Sequence, residues 1–115
     1  MKIQIVKKPW GHEEIWAKTN RYVGKILTIN PGHRLSLQYH EHKEETIYVM
    51  EGVLKVWDSE DDNTYCMYNS GSVVHIKPNQ VHRFGAAPGE NRVKLMEVST
   101  PELEDVVRLK DDYSR

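Results

Sequence analysis

The feature that most constrains the fold is a series of short runs rich in Val, Ile, Thr and Tyr, each bounded by residues that favour turns. Gly, Pro, Asn and Asp separate the runs, as in Asn30-Pro31-Gly32 and Asn69-Ser70-Gly71. The predicted strands are residues 23–29, 34–40, 46–50, 53–57, 64–68, 73–76 and 93–99. Strands that recur at such short spacing predict an all-β protein, either a sandwich or a barrel of the jelly-roll type.

Three segments outside these runs carry predictions of their own. Residues 101–107 have the composition of a helical turn, and the acidic residues 59–63 indicate a solvated loop between two strands. Residues 2–6 form a candidate edge strand, whose unpaired backbone groups are available to a second copy of the chain. We therefore expect a homodimer.

Composition excludes several classes of function. The 115 residues are enough for one domain, residues 1–115, with a single hydrophobic core. A net charge of -1 lacks the basic surface that a nucleic acid or an anionic membrane requires. The longest apolar run, residues 47–50, is too short to span a bilayer, and the N-terminus lacks the apolar core of a signal peptide. We expect a cytoplasmic protein with neither nucleic-acid nor membrane partners.

The lone cysteine, Cys66, agrees with that compartment, because a single thiol cannot close an intrachain disulfide. Its position in the middle of a predicted strand predicts that it is a buried, unreactive side chain.

Polar residues alternate along the strand predicted at residues 34–40. Ser36, Gln38 and His40 share one face, because successive side chains of a strand point to opposite faces. In the next strand, Glu45 shares a face with the apolar residues two and four positions later, so its carboxylate would be buried. Buried polar and charged groups are costly without partners. A divalent metal ion satisfies both rows, since amide oxygen, imidazole nitrogen and carboxylate oxygen are ligands for such ions.

A further ligand is expected from residues 71–84, which contain two histidines. His82 follows the Pro78-Asn79 turn, where the chain re-enters the sheet and can direct a side chain inward. His75 lies in the middle of a strand and faces away from its apolar neighbours, so it lines either the pocket or a subunit contact.

These residues resemble the two motifs of the cupin superfamily. The first motif is matched throughout by Gly32, Gln38, His40, Glu45 and Gly52, with Gln38 where many cupins carry His. The second motif keeps Gly71 and His82, but Lys77 and Asn79 replace its Pro and its second Gly. The resemblance implies a double-stranded β-helix, a jelly-roll barrel, with Gln38, His40, Glu45 and His82 as metal ligands.

Three blocks are similar to one branch of these proteins, the type II mannose-6-phosphate isomerase cupin domain. They are Lys8-Pro9-Trp10-Gly11, residues 30–40 and residues 107–115. This resemblance implies metal-dependent conversion of mannose-6-phosphate to fructose-6-phosphate. In that family the domain often follows a mannose-1-phosphate nucleotidyltransferase domain, which this sequence does not contain, so we expect no nucleotidyl transfer.

One departure from that branch lies beside the candidate ligands. The family carries Arg-Ala-Glu-His-Trp after its histidines, whereas this chain has Lys43-Glu44-Glu45-Thr46-Ile47. The substrate therefore stays open between a sugar and a sugar phosphate.

Isomerisation also needs a base and a ligand for the phosphate. His42 and Glu44 are the candidate catalytic residues, with a solvated position as the alternative for both. The candidate substrate-binding residues are Arg34, Arg83, Lys77 and His75. A guanidinium fork matches phosphate oxygens, and the alternative for both arginines is a surface ion pair, which is favoured more for Arg34 than for Arg83.

Three functions remain open from the sequence. The first is the isomerase, and the second is a non-catalytic cupin that binds a small sugar. The third is a metal-dependent oxygenase, which Gln38 disfavours because such sites prefer histidine-rich ligation of iron. Zinc or manganese is the favoured ion, and iron, cobalt and nickel also suit these ligands.

Overall fold

The computed structural model describes residues 2–114, and these residues form eleven strands joined by turns, with no helix among them. The strands are β1 Gln4–Lys8, β2 Gly11–Lys18, β3 Val23–Ile29, β4 Leu37–Tyr39, β5 Glu45–Glu51, β6 Leu54–Trp57, β7 Cys66–Tyr68, β8 Val73–Ile76, β9 Arg83–Ala86, β10 Val93–Ser99 and β11 Val107–Lys110. No helix of these residues is both long and apolar enough to cross a membrane.

The strands form two layers. One layer is a six-stranded antiparallel sheet in the order β1-β2-β3-β10-β5-β8. The other contains the two-stranded sheet β11-β4 and the three-stranded sheet β7-β6-β9. Two isolated bridges, Arg34 to Gly85 and Gln38 to His82, connect these sheets. The bridges place β4 beside β9, so the layer continues across both sheets.

The hydrophobic core lies between the layers. Leu95 of β10 is opposite Leu27 of β3 and Val49 of β5, and all three are buried. Leu54 and Phe84 pack against them from the second layer. Because side chains alternate along each strand, every second residue of β3, β5 and β10 points into this space. The same alternation carries a few charged residues inward.

Most predicted strands are present, and their positions follow the β-favouring runs. Residues 23–29, 73–76 and 93–99 are strands with the predicted bounds, and β5, β6 and β7 differ by one or two residues. The strand predicted at residues 34–40 is shorter, because only β4 forms a ladder and Arg34 makes a single bridge.

The helical turn predicted at residues 101–107 is wrong. The segment consists of turns, and Val107 begins β11. A run this short cannot nucleate a helix on its own, and its side chains serve another purpose, because Leu103 and Val106 line a cavity between the layers.

Residues 2–6 overlap β1, an outer strand of the six-stranded sheet that pairs along one edge with β2 of the same chain. One other prediction is corrected at the edge of a sheet. Cys66, predicted to be buried, is exposed at the start of β7, the outer strand of its sheet.

Candidate metal centre and cavity

A cavity of about 290 Å³ opens between the two layers. Trp10, Leu27 and Phe84 form part of its apolar wall, and charged residues from both layers form the rest. Its volume suits a single small molecule of the size of a sugar.

His40, Glu45 and His82 meet in this cavity, and all three are buried. The nearer carboxylate oxygen, Oε1 of Glu45, is 3.7 Å from His40 Nε2 and 3.3 Å from His82 Nε2. One atom from each residue lies within 4.8 Å of the other two. His40 ends the β4 region, Glu45 begins β5 and His82 precedes β9, so turns rather than strand centres position the three side chains.

Backbone carbonyls fix the orientation of both imidazoles. His40 Nδ1 is 2.6 Å from the carbonyl of Asp105, and His82 Nδ1 is 2.9 Å from the carbonyl of Gln80. A carbonyl only accepts hydrogen bonds, so each Nδ1 carries a proton and Nε2 is the ring nitrogen directed at Glu45. With a proton, this Nε2 donates to the carboxylate, and without one it offers its lone pair to a metal ion, as in metal sites whose histidines are held by outer hydrogen bonds.

The three residues fit a divalent ion. Ligand atoms about 2.1 Å from one ion lie no more than about 4.2 Å apart, and both imidazole-to-carboxylate distances are shorter than this. Gln38 also lines the cavity and pairs with His82 across the bridge between the layers, which places an amide beside the triad. Nitrogen and oxygen ligands without a thiolate suit zinc and manganese.

Lys43 and Glu97 complete a buried charge cluster around Glu45. Lys43 Nζ is 3.2 Å from Glu45 Oε2 and 3.2 Å from Glu97 Oε2. Despite that proximity, Oε2 of Glu97 accepts no well-oriented hydrogen bond within the described residues. Two buried carboxylates therefore share one buried ammonium.

The pKa values in this cluster follow from burial and from the neighbouring charges. Burial by itself would raise the pKa of Glu45, but hydrogen bonds from His40 and His82 and the charge of Lys43 hold it well below its usual range. Burial, and after it the negative charge of Glu45, raises the pKa of Glu97 to about 7. Burial opposes the ammonium of Lys43, yet the charges of Glu97 and Glu45 raise its pKa above the ordinary value. Glu45 is thus kept ionised, as a metal ligand must be.

A second buried ion pair lies on the cavity wall. Lys25 Nζ is 3.3 Å from both carboxylate oxygens of Glu13. Glu97 of β10 is directly opposite Lys25 of β3 in the sheet register.

The sequence reasoning missed these cavity residues, although alternation could have found them. Lys25 interrupts the inward row of β3, and Glu97 interrupts the inward row of β10. A charged residue in a row of otherwise buried apolar residues was the available signal.

Asp105 organises the loop between two of the candidate ligands. Its carboxylate accepts hydrogen bonds from the backbone N–H groups of Glu41, His42 and Lys43, while its carbonyl accepts from His40. The bonds from His42, Lys43 and Glu41 lower the pKa of Asp105 to about 2. This loop is the connection that sets the distance from His40 to Glu45.

The structure places the other predicted site residues outside the cavity. His42 and Glu44 are exposed in the same loop, and Glu44 forms an ion pair with His75 on the outer surface. His75 points outward because it alternates with the buried Val74 and Ile76 of β8, and Lys77 beyond it is exposed. None of these four contacts the triad.

Arg34 and Arg83 are held in a separate cluster on the other face of β9. Arg34 donates to both oxygens of Asp112 and to Asp62, and Arg83 donates to Asp112 and to the carbonyl of Leu35. Arg83 is buried, and it faces away from the cavity because its neighbours His82 and Phe84 line it. The two guanidinium groups are occupied by carboxylates of this chain.

Comparison with known proteins is consistent with this geometry. The mannose-6-phosphate isomerase C-terminal family matches residues 2–111. This chain belongs to that family. The match covers every residue of the triad and of the surrounding charge cluster, so the resemblance predicted from the motifs is confirmed.

Two relatives that match almost the whole of this chain are much longer proteins. The alginate biosynthesis protein AlgA of Pseudomonas aeruginosa is 34% identical over 113 residues, which are 96% of this chain and 23% of AlgA. A mannose-1-phosphate guanylyltransferase of Escherichia coli is 33% identical over 113 residues, again 96% of this chain and 23% of the relative. The chain spans about a quarter of the length of the curated relatives it matches.

Solved structures confirm the predicted fold class. A Klebsiella pneumoniae protein with a double-stranded β-helix domain has a TM-score of 0.72 and 18% identity, covering 91% of this chain and 84% of that one. Bacillus subtilis oxalate decarboxylase, a protein with Mn(II) centres, has a TM-score of 0.74 and 18% identity, covering 92% of this chain and 30% of that one. At these identities the likeness concerns the all-β double-stranded β-helix alone.

Proposed function

We propose that this chain is a metal-dependent cupin that interconverts an aldose phosphate and a ketose phosphate, of the mannose-6-phosphate to fructose-6-phosphate type. The observation that carries the proposal is the convergence of His40, Glu45 and His82 inside a cavity of a size that suits one sugar. Membership of the mannose-6-phosphate isomerase C-terminal family supports this choice of substrate.

The proposed metal ligands are Gln38, His40, Glu45 and His82. Zinc and manganese are the preferred ions, and the Mn(II) centres of the structurally similar oxalate decarboxylase support manganese. Iron, cobalt and nickel are compatible with the same set. These four side chains would hold the ion, and the cavity beside them would leave substrate oxygens access to it.

Aldose–ketose isomerisation moves a proton between adjacent carbons. When bound, a divalent ion polarises the sugar oxygens and stabilises the negative charge that develops during this transfer. The residues of the chain must hold those oxygens at the triad, exclude water and carry the proton. His42 and Glu44 are exposed, so the carboxylates that line the cavity, Glu13 and Glu97 among them, are better placed for proton transfer.

The proposal is tested by proton NMR of the purified protein with mannose-6-phosphate in heavy water, before and after divalent metals are added. We expect metal-dependent formation of fructose-6-phosphate, with deuterium entering the sugar. His40→Ala and His82→Ala should each lose bound metal and turnover together. His75→Ala is the matched control, because this histidine is exposed and lies outside the cavity. Turnover in either cavity variant without bound metal would contradict the proposal.

A second candidate function is a binding module without turnover. It is favoured by the departure beside the triad, where this chain carries Lys43-Glu44-Glu45-Thr46-Ile47 in place of the family's Arg-Ala-Glu-His-Trp. Calorimetry with mannose-6-phosphate separates the two functions. Saturable binding with no deuterium exchange under any metal would support the binding module and exclude the isomerase.

We also propose a homodimer in the cytoplasm. β1 is the outer strand of the six-stranded sheet and keeps one unpaired edge in the described chain, which supports pairing with a second copy. Light scattering during size-exclusion chromatography measures the mass directly, and a monomer at micromolar concentration would contradict the dimer.

A further inference from the structure

The cavity contains four cationic side chains whose environments differ. Lys8, Lys25, Lys43 and Arg108 all line it. An anionic group on a ligand needs a cation that is not already neutralised by the protein, because displacing a buried carboxylate from its partner is costly. The four cations therefore divide according to their existing partners.

Two of the four are committed to carboxylates. Lys25 is buried 3.3 Å from both oxygens of Glu13, and Lys43 is buried 3.2 Å from Glu45 and 3.2 Å from Glu97. Removing either ammonium to serve a ligand would leave a carboxylate alone in the core. Lys25 and Lys43 are therefore not available to an anionic group of a ligand.

The other two are available to a ligand. Among residues 2–114, the side chains of Lys8 and Arg108 have neither an ion-pair partner nor a hydrogen-bond partner from another side chain or a carbonyl. Lys8 is half-buried at the end of β1 and Arg108 is exposed on β11, so both lie where the cavity meets solvent. They come from different layers, and an anion entering between the layers passes both.

The charge at the opening of the cavity is consistent with an anionic ligand. In the interior the two ammonium groups face three carboxylates, those of Glu13, Glu45 and Glu97, and the only other carboxylate among the cavity-lining residues of the described chain is that of the exposed Glu104. One carboxylate against two cations leaves the opening positive.

We propose that Lys8 and Arg108 form a phosphate subsite at the opening of the cavity, which holds the phosphate monoester of a sugar while its carbonyl end reaches the triad. This inference rests on the proposed function, which supplies the phosphorylated sugar. The guanidinium group of Arg108 offers paired donors that match two phosphate oxygens, and the ammonium of Lys8 adds a mobile positive charge. Lys8 and Arg108 thus take the phosphate-binding role that the sequence predicted for Arg34 and Arg83, whose donors are already bound to Asp112 and Asp62.

The test compares binding of mannose-6-phosphate and mannose to the metal-loaded protein by calorimetry. Lys8→Gln and Arg108→Gln should each weaken mannose-6-phosphate binding by about tenfold, as expected for loss of one charged hydrogen bond. Binding of unphosphorylated mannose should not change, and the metal content of each variant reports that the fold and the triad are intact.

Lys7→Gln and Lys110→Gln are the matched controls, since each removes an exposed cation from the same strand without touching the cavity. If the two controls lost as much affinity for mannose-6-phosphate as Lys8→Gln and Arg108→Gln, only the overall charge would matter, and the subsite would be rejected. It would also be rejected if the wild-type protein does not distinguish mannose-6-phosphate from mannose.

The same variants separate this inference from the isomerase. Selective loss of mannose-6-phosphate binding in a wild-type protein that shows no deuterium exchange would support the subsite and exclude the isomerase. Deuterium exchange into mannose-6-phosphate at an unchanged KM in both Lys8→Gln and Arg108→Gln would support the isomerase and reject the subsite.

Discussion

Lys43 is the residue on which the charge balance beside the triad depends. Its ammonium lies between Glu45 and Glu97, and all three side chains are buried. An ammonium in the core is unfavourable alone, but two carboxylates without it are worse, because like charges in a medium of low polarity repel strongly. Lys43 therefore contributes to folding through the groups that it neutralises.

We predict that Lys43→Met lowers the free energy of unfolding by about 3 kcal/mol, because it leaves two buried carboxylates without a cation. Urea denaturation of the metal-free protein measures the loss. The double variant Lys43→Met with Glu97→Gln should recover part of it, since one of the two charges is then absent. An unchanged stability in the single variant would show that water enters the cluster and screens it.

At the scale of the elements, Asp105 connects the turn after β10 to the loop between β4 and β5. Its carboxylate accepts three backbone N–H groups, and these bonds hold its pKa at about 2, below the ordinary value of 3.8. A carboxyl whose pKa is lower in the folded chain than in the unfolded chain stabilises the folded state at pH values above its pKa in the unfolded chain. That contribution is lost as the pH falls from about 4 towards 2.

We predict that Asp105→Asn destabilises the chain at neutral pH and that the difference from the wild type shrinks as the pH falls below 4. Urea midpoints at pH 6 and pH 3 measure this. The variant should also bind metal more weakly, since the loop then holds His40 and Glu45 less firmly. A difference in midpoint that is independent of pH would mean that the carboxylate charge is unimportant.

Two tight turns show how backbone geometry constrains the strands. Gly52, between β5 and β6, has φ of 83°, and a Cβ there would lie 2.4 Å from the carbonyl oxygen of Arg92. Gly71, before β8, has φ of 93° but no atom within 4 Å of a built Cβ. Both glycines have left-handed backbone, but only at Gly52 would an added Cβ clash with a neighbouring atom.

We predict that Gly52→Ala lowers the free energy of unfolding by about 3 kcal/mol and Gly71→Ala by about 1 kcal/mol, because only the first combines strain with a clash. Thermal and urea denaturation of both variants provide the comparison. Equal losses would show that Arg92 moves freely and that the positive φ accounts for the whole effect.

At the scale of the whole molecule, the segment after β11 holds distant parts of the chain together. Asp112 accepts hydrogen bonds from Arg34 and Arg83, and Tyr113 stacks on His33 and hydrogen-bonds to it. Burial, and after it the charge of Arg34, lowers the pKa of Arg83, so its guanidinium depends on carboxylates such as Asp112. These contacts lie on the face of β9 away from the cavity.

We predict that Asp112→Ala lowers the free energy of unfolding by about 2 kcal/mol, because it removes charged hydrogen bonds from a buried guanidinium. Metal content should be unchanged, since Arg83 points away from the triad. Asp58→Ala, a change at an exposed residue, is the control. Loss of bound metal in Asp112→Ala at temperatures where it is folded would show that the two faces of β9 are coupled.

The sequence was most informative where one local rule decides the outcome. Strands such as Val23–Ile29 and Val93–Ser99 were predictable because β-branched residues favour extended backbone and turn residues bound them. The inward position of Glu45 followed from alternation along a single strand. The pairing of Glu97 with Lys43 was not predictable, because it depends on how β10 pairs with β5.

By itself, the sequence determined the all-β class, most of the strand positions and the residues that could serve as metal ligands, because these depend on composition and alternation within one strand. Only the tertiary structure decided which cations face the cavity. The sequence predicted Arg34 and Arg83 as phosphate ligands, but in the folded chain they form ion pairs with Asp62 and Asp112. The identity of a neighbour across a sheet is set by register and by the packing of one layer on the other, and neither is written in a single strand.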